Sequence, residues 1–172
     1  MEILDIATFL PYFESIRERT LRVVSLVPED KLEWRHSPGV FSPGDLARHI
    51  AATERYVFAE NVLGRPSRYS GCGTDLAQGK DGTLAFMRHM HAETVNLLRP
   101  LTPEDLQRKG TSPEGHPITA WKLLRAMVEH EIHHRGEIYV YLALLGVPRP
   151  PLYKLTEPEL RALSSPAARV AS

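Results

Sequence analysis

Two histidines stand four residues apart in the stretch Glu129-His130-Glu131-Ile132-His133-His134-Arg135-Gly136-Glu137, the pair being His130 and His134. On a helix this spacing leaves their side chains about 40° apart around the axis and about 6 Å apart along it, so both project onto one face. Two neutral imidazoles placed this way can bind one metal ion. A third candidate lies far upstream, His49 in Leu46-Ala47-Arg48-His49-Ile50. Two histidines from one helix and one from a neighbour make a three-histidine site with an open coordination position, the arrangement of a catalytic metal rather than a closed structural one. The spacing by itself also fits two hydrogen-bonded core histidines. Their position favours the metal: Leu123, Met127, His130, His134, Tyr141 and Leu144 follow one another at steps of mostly three and four, a seam that faces a bundle core. Two imidazoles on that seam each need a buried polar partner, and a shared ion supplies one for both.

Helical periodicity runs through the chain and strand signals are nearly absent. Ile6, Phe9, Leu10, Phe13, Ile16, Leu21 and Val24 form a first stripe, closed before Pro28. Ser42-Pro43-Gly44-Asp45 opens a second helix with an N-cap, a proline at the first position and a first-turn carboxylate. Its inner face is Leu46, His49, Ile50, Thr53 and Val57, and Gly64 with Pro66 stops it. A third helix follows Asp81-Gly82-Thr83 with Leu84, Met87, His91, Thr94, Leu98 and Leu101. The fourth starts near Pro117 to Thr119 and ends at Gly146-Val147-Pro148. Four such stripes predict an all-α four-helix bundle over residues 1–150. Segment 64–80 is long for a link between antiparallel neighbours and predicts a crossover that leaves the second and third helices parallel. Pro28-Glu29-Asp30-Lys31-Leu32 is echoed by Pro103-Glu104-Asp105-Leu106, and Ser37-Pro38-Gly39 by Ser112-Pro113-Glu114-Gly115. The chain thus reads as two helical hairpins of similar build. Residues 151–172 read as a C-terminal extension: a short helix opened by Thr156-Glu157-Pro158-Glu159 and running to about Leu163, then a frayed tail.

Composition narrows the functional classes. Lys plus Arg and Asp plus Glu balance at 21 each, so no global field invites nucleic acid or an anionic membrane. No apolar run is long enough to span a bilayer, and the first residues lack a basic region followed by an apolar one; cytoplasm is the expected compartment. Cys72 is the sole cysteine, which excludes an intramolecular disulfide and a cysteine-based zinc site. No glycine-rich phosphate loop and no Ser-His-Asp or Cys-His arrangement is present.

The lone histidine early in the second helix, followed by His130-x-x-x-His134-Arg135-Gly136 in the fourth, resembles the DinB/YfiT-like superfamily of metal-dependent enzymes. The resemblance covers residues of roughly 5 to 150. It implies an up-down-down-up bundle with a long crossover between helices 2 and 3, and a divalent ion such as zinc, nickel or iron on His49, His130 and His134. It also implies a homodimer and chemistry of the thiol S-transferase or isomerase kind, using a low-molecular-weight thiol. Three neutral ligands leave the ion's charge at about +2, enough to lower the pKa of a bound thiol or water. Thiol transfer to an electrophilic small molecule is the leading expectation. Hydrolysis, or a non-catalytic metal or small-molecule binding protein of the stress response, are the alternatives. Many relatives read His-Arg-Gly-Gln where this chain has Glu137, which is expected to face solvent.

Other candidates are weighed against plainer roles. His133 is expected at the surface or in a hydrogen bond, and His91 as a hydrogen-bonded core histidine. Glu129 and Glu131 flank His130 and read as exposed carboxylates. Arg135 reads as pairing with a carboxylate or an anionic substrate. Cys72 carries no sign of a reactive thiolate, and Trp34 and Trp121 read as closing the bundle ends. Val23, Leu26, Tyr139 and Leu142 are the apolar residues expected to be left over for a dimer face.

Overall fold

Asp5 opens the first helix, its carboxylate accepting from the backbone N–H of Ala7 at 3.1 Å and of Thr8 at 3.0 Å. In the structure, a computed structural model describing residues 2–112, 115–151 and 154–164, this helix is α1, Ile6–Ser25. A single 3-10 turn, Glu29–Lys31, comes next. The second helix starts where Ser42-Pro43-Gly44-Asp45 predicts, with Ser42 and Asp45 capping each other reciprocally. It runs as Pro43–Thr53, passes through a π turn at Glu54–Phe58 and ends as Ala59–Val62; we call the continuous rod α2. The extra residue in the π turn rotates the second half of the rod. Glu54 and Phe58 therefore turn inward and Val57 is only half-buried, unlike the inner face expected from an unbroken period.

The third helix, α3, is Gly79–Leu98 and begins before the expected Asp81-Gly82-Thr83. Glu29, reaching over from the first join, accepts the Lys80 backbone N–H at 3.1 Å and so satisfies a first-turn donor. A capped turn α4, Pro103–Gln107, leads into a hairpin of β1, Lys109–Thr111, and β2, Pro117–Thr119, with Gly110 opposite Ile118. These strands of three residues each are too short for an alternating pattern to register in the sequence. The fourth long helix, α5, is Ala120–Leu144. The last described helix, α6, is Glu157–Leu163, capped by Thr156 and Glu159 as expected, with every residue exposed. The frayed tail expected beyond residue 164 lies outside the described residues.

The residues that pack together give the directions of the helices. One apolar cluster joins Ile6, Phe9 and Phe13 of early α1 with Val62 of late α2, Leu98 of late α3 and Leu123 of early α5. The other joins Leu21 and Val24 of late α1 with Leu46 of early α2, Met87 of early α3 and Leu142 of late α5. α1 and α5 thus run one way, α2 and α3 the other: an up-down-down-up four-helix bundle with the crossover between α2 and α3. In cross-section the order is α1, α3, α2, α5, so α1 packs on α3 and α5 and stands diagonal to α2. The two expected hairpins are therefore not packed pairs. The joins do resemble each other locally: Leu32 and Leu106 are both fully buried, and Gly39 and Gly115 both take positive φ, 81° and 88°.

A polar layer separates the two apolar clusters. Arg17 lies within ion-pair distance of Glu54 and, at 3.2 Å, of Glu131; Glu54 also accepts from His91 Nδ1 at 3.1 Å. Glu131, expected at the surface, is 2% exposed, because the inward face of α5 is wider than the seam read from the sequence. Val23 of α1 and Leu142 of α5 also lie in the core rather than on a dimer face, whereas Leu144, expected on the seam, is 57% exposed.

Candidate metal centre

The histidine cluster sits at the level of the polar layer, between α2 and α5. His49 and His130 face each other with their Nε2 atoms 3.1 Å apart, and one donor nitrogen from each of His49, His130 and His134 lies within 4.8 Å of the others. Two imidazoles on one tetrahedral ion, with bonds of about 2.0–2.1 Å, place their nitrogens about 3.3 Å apart. The donor set fits a divalent ion in chemistry and in spacing.

The outer nitrogens have their own partners. His49 Nδ1 is 2.8 Å from the Tyr69 hydroxyl, and His134 Nδ1 is 3.0 Å from Glu137 Oε2. With Nδ1–H donating outward, each ring turns a lone pair on Nε2 toward the cluster. Phe58 meets the His130 ring at 5.6 Å, and Phe41 lies 5.3 Å from that of His49. Tyr69 is brought in by Arg48, whose buried guanidinium donates through Nε to the Cys72 carbonyl at 2.8 Å and grips Glu33 at 2.7 and 2.8 Å and Asp45 at 3.0 Å. This side chain ties the first join and the crossover onto α2. A Cβ on Gly44 would come within 2.5 Å of Glu33 Oε1, so that carboxylate end would have to shift against Arg48.

Burial, with the neighbouring His134 as second cause, pushes the His49 imidazole down to about 4, Glu137 opposing it. Burial likewise drives His130 down to about 3, aided by His134, His49, His133 and Arg17. Both rings are held neutral, as ligation requires. In the metal-free protein the stability consequence has a definite sign. Unfolded chains take up these two protons below about pH 6.5, whereas the folded state refuses them until about 4 and 3. Stability is therefore complete above about pH 6.5 and is lost progressively as pH falls through that window. Urea midpoints of chelator-treated protein should fall between pH 7 and pH 5, and a His49→Gln, His130→Gln double variant should show a shallower fall.

The other candidate residues take plainer places. His133 points away, its side chain 69% exposed, with Nε2 at 3.3 Å from Glu137 Oε1. Glu137, expected to face solvent, instead bridges His133 and His134, because it stands one turn beyond both. His133→Ala should thus lower metal affinity by no more than the 10- to 100-fold typical of an outer partner, read by competition with a chromophoric chelator. His91 is the buried, hydrogen-bonded histidine expected. Glu129 is exposed and pairs with Arg125 at 3.1 Å. Arg135 is buried and donates to the Ile16 carbonyl at 3.3 Å and Thr20 Oγ1 at 3.4 Å, rather than meeting a substrate. Burial pushes the Cys72 thiol up, so it stays protonated. Tyr69 and Phe41 join the site without a signal in the sequence, since an aromatic on a join or crossover belongs to no period, and Phe58 joins it because the π turn of α2 brings it inward.

The family model of the DinB superfamily matches residues 12–138. The chain belongs to the DinB superfamily. Among curated DinB-like relatives, YjoA of Bacillus subtilis is 30% identical over 148 residues, 83% of this chain and 92% of YjoA. Its crystal structure superposes with a TM-score of 0.69, covering 85% of this chain and 96% of that one at 26% identity. YfiT of Bacillus subtilis, described as a probable metal-dependent hydrolase with an unusual four-helix bundle topology, gives 0.67 at 19% identity over 83% of this chain and 89% of its own. A crystal structure of a mutant of the mycothiol-dependent maleylpyruvate isomerase gives 0.64 at 14% identity over 78% of this chain and 61% of that one. The last two likenesses carry the fold alone.

Proposed function

We propose that this DinB-superfamily protein is a metal-dependent enzyme in which His49, His130 and His134 hold one divalent ion, zinc, nickel or iron, and which transfers a low-molecular-weight thiol to an electrophilic small molecule. The observation that carries the reading is the convergence of three half-buried imidazole donors within 4.8 Å, two of them held neutral and two oriented from behind. A bound ion would supply Lewis acidity, lowering the pKa of a thiol or water at its open position. The chain supplies the rest. Tyr69 and Glu137 fix the ring orientations, and Phe41 and Phe58 exclude water from two sides. In the transfer sulfur bonds to the electrophilic carbon, the leaving group departs with the bonding pair, and the thiol's proton passes through solvent to that leaving group.

Hydrolysis is the second reading, favoured by the likeness to YfiT, with water in place of the thiol. Thiol transfer is preferred because of the likeness to the mycothiol-dependent isomerase. Zinc- or nickel-loaded protein should conjugate a cellular thiol to an activated electrophile, and chelator-treated protein should not. Absence of a metal-dependent rate across a panel of thiols and activated esters would leave a metal-binding module without turnover. We also propose that the protein acts in the cytoplasm as a homodimer. Among the described residues no helix is long and apolar enough to cross a membrane, and Leu4, Tyr12 and Ile132 expose apolar surface on one side of α1 and α5. Sedimentation at micromolar concentration tests the dimer, and a clean monomer mass would exclude it.

A further inference from the structure

A groove of about 440 Å³ opens between α1 and α3, across the bundle from the seam of α2 and α5 that holds the histidines. Arg17 and His91 of the polar layer form its floor. Arg17 is 1% exposed and His91 9%, and their protein-facing atoms are taken: Arg17 Nη2 by Glu54 and Glu131, His91 Nδ1 by Glu54 at 3.1 Å. Arg17 Nε, Arg17 Nη1 and His91 Nε2 are also buried, but have no partner among the described residues. Native interiors leave very few such atoms unpaired, and the groove is the side from which a partner can come.

The floor offers two opposite polarities. The guanidinium has N–H groups left to donate. Burial works against ionisation of Glu54, but Arg17 and His91 outweigh it, so that carboxylate only accepts. His91 Nδ1 therefore carries the hydrogen, and a neutral His91 turns a lone pair on Nε2 toward the groove. A ligand that meets both carries an acceptor beside a donor. The rim adds full charges. Glu14 and Glu18, one turn apart on α1, put two carboxylates on one edge, and Arg88 of α3 and Arg99 at its C-terminal end put two guanidinium groups on the other. All four are exposed, and none makes an ion pair among the described residues. Leu21, Ala92 and Val95 supply an apolar wall.

We propose that this groove binds a small zwitterion of the α-amino acid class. Its carboxylate accepts from Arg17 and Arg88. Its ammonium group donates to His91 Nε2 and sits beside Glu14 and Glu18, and a short apolar side chain lies on Leu21 and Val95. A ligand carrying only one charge meets repulsion from one edge of the groove, so complementarity of both edges sets the selection.

Norvaline, pentanoate and butylamine share one short alkyl chain and differ in the charges they carry. Each is titrated into isotopically labelled full-length protein and read by backbone amide chemical shifts. The protein is first freed of metal by chelator and dialysis, so that no amino acid is held by an ion at the histidines. Norvaline should bind at least about tenfold tighter than either of the others, the scale of one charge-assisted hydrogen bond. The shifts should centre on residues 14–21 and 88–99. Arg88→Gln should weaken norvaline and pentanoate together by about five- to tenfold, whereas Glu18→Gln should weaken norvaline and strengthen pentanoate. Pentanoate or butylamine binding as tightly as norvaline, shifts centred on another face, or an Arg88→Gln protein that binds norvaline as the parent does would each overturn the proposal. So would the absence of any response to norvaline at tens of millimolar, which would leave only water on the floor. Failure of metal loading or of turnover would instead tell against the proposed function and leave this site standing.

Discussion

Replacing His130 with leucine should abolish stoichiometric metal loading while leaving the metal-free fold intact. His130 faces His49 at 3.1 Å and is the proposed ligand that joins the α5 pair to α2. Without it the two remaining imidazoles offer an ion only two protein donors. The affinity loss should exceed the 10- to 100-fold that outer partners carry. Leucine keeps most of the volume against Phe58 and removes a polar ring whose charged form is already rejected. The unliganded variant should therefore melt no lower than the unliganded parent. A second readout separates ligation from folding. Parent protein at a zinc concentration about 100 times its Kd gains about 2.7 kcal/mol, whereas the variant should show no thermal shift. A His130→Leu protein that retains one ion per chain by elemental analysis would withdraw the three-histidine assignment.

The largest expected effect on stability lies in the polar layer. Arg17→Met should destabilise the protein by about 3–5 kcal/mol, because it strands two buried carboxylates without their shared cation. Burial alone pushes both carboxyls up, but Arg17 and His91 outweigh it at Glu54 and hold that group low, whereas Glu131 stays raised. Against a typical total of about 5–15 kcal/mol such a loss is severe, equivalent to a Tm drop of roughly 6–20 °C in a domain of this size. Adding Glu54→Gln and Glu131→Gln to Arg17→Met should recover much of it, since buried charge is costly chiefly when unpaired. An Arg17→Met protein within about 0.5 kcal/mol of the parent by urea titration would mean that the layer is hydrated rather than dry.

The long helices were legible because their apolar residues recur at helical spacing and their caps are local. Ser42-Pro43-Gly44-Asp45 announces its helix from four adjacent residues. The three histidines were legible for a related reason: a pair at i, i+4 and a partner on an inner face need only the period. What escaped was set by distant partners. Glu131 and Arg17 look like surface charges until the bundle places them side by side, and Glu54 turns inward only because of the π turn. Glu137 read as solvent-facing because its half-exposed position hides the contact with His134. The start of α3 depended on Glu29, some fifty residues earlier, which no window can include.

The diagonal placement of α1 and α2 has a consequence for synthesis. A bundle of sequential hairpins can dock each pair of helices as it leaves the ribosome. Here the first two long helices have no broad face to offer one another, so a nascent chain waits for α3 before it can bury α1. Its earliest lasting tertiary contacts span many residues, and loop closure of that length slows folding relative to a hairpin bundle of equal size. Until then the stripe from Ile6 to Val24 is an exposed apolar surface of the kind that aggregates or engages a chaperone. The parallel placement of α2 and α3, which leaves α2 to meet α5 around the histidine cluster, therefore comes with a vulnerable interval early in the life of every molecule.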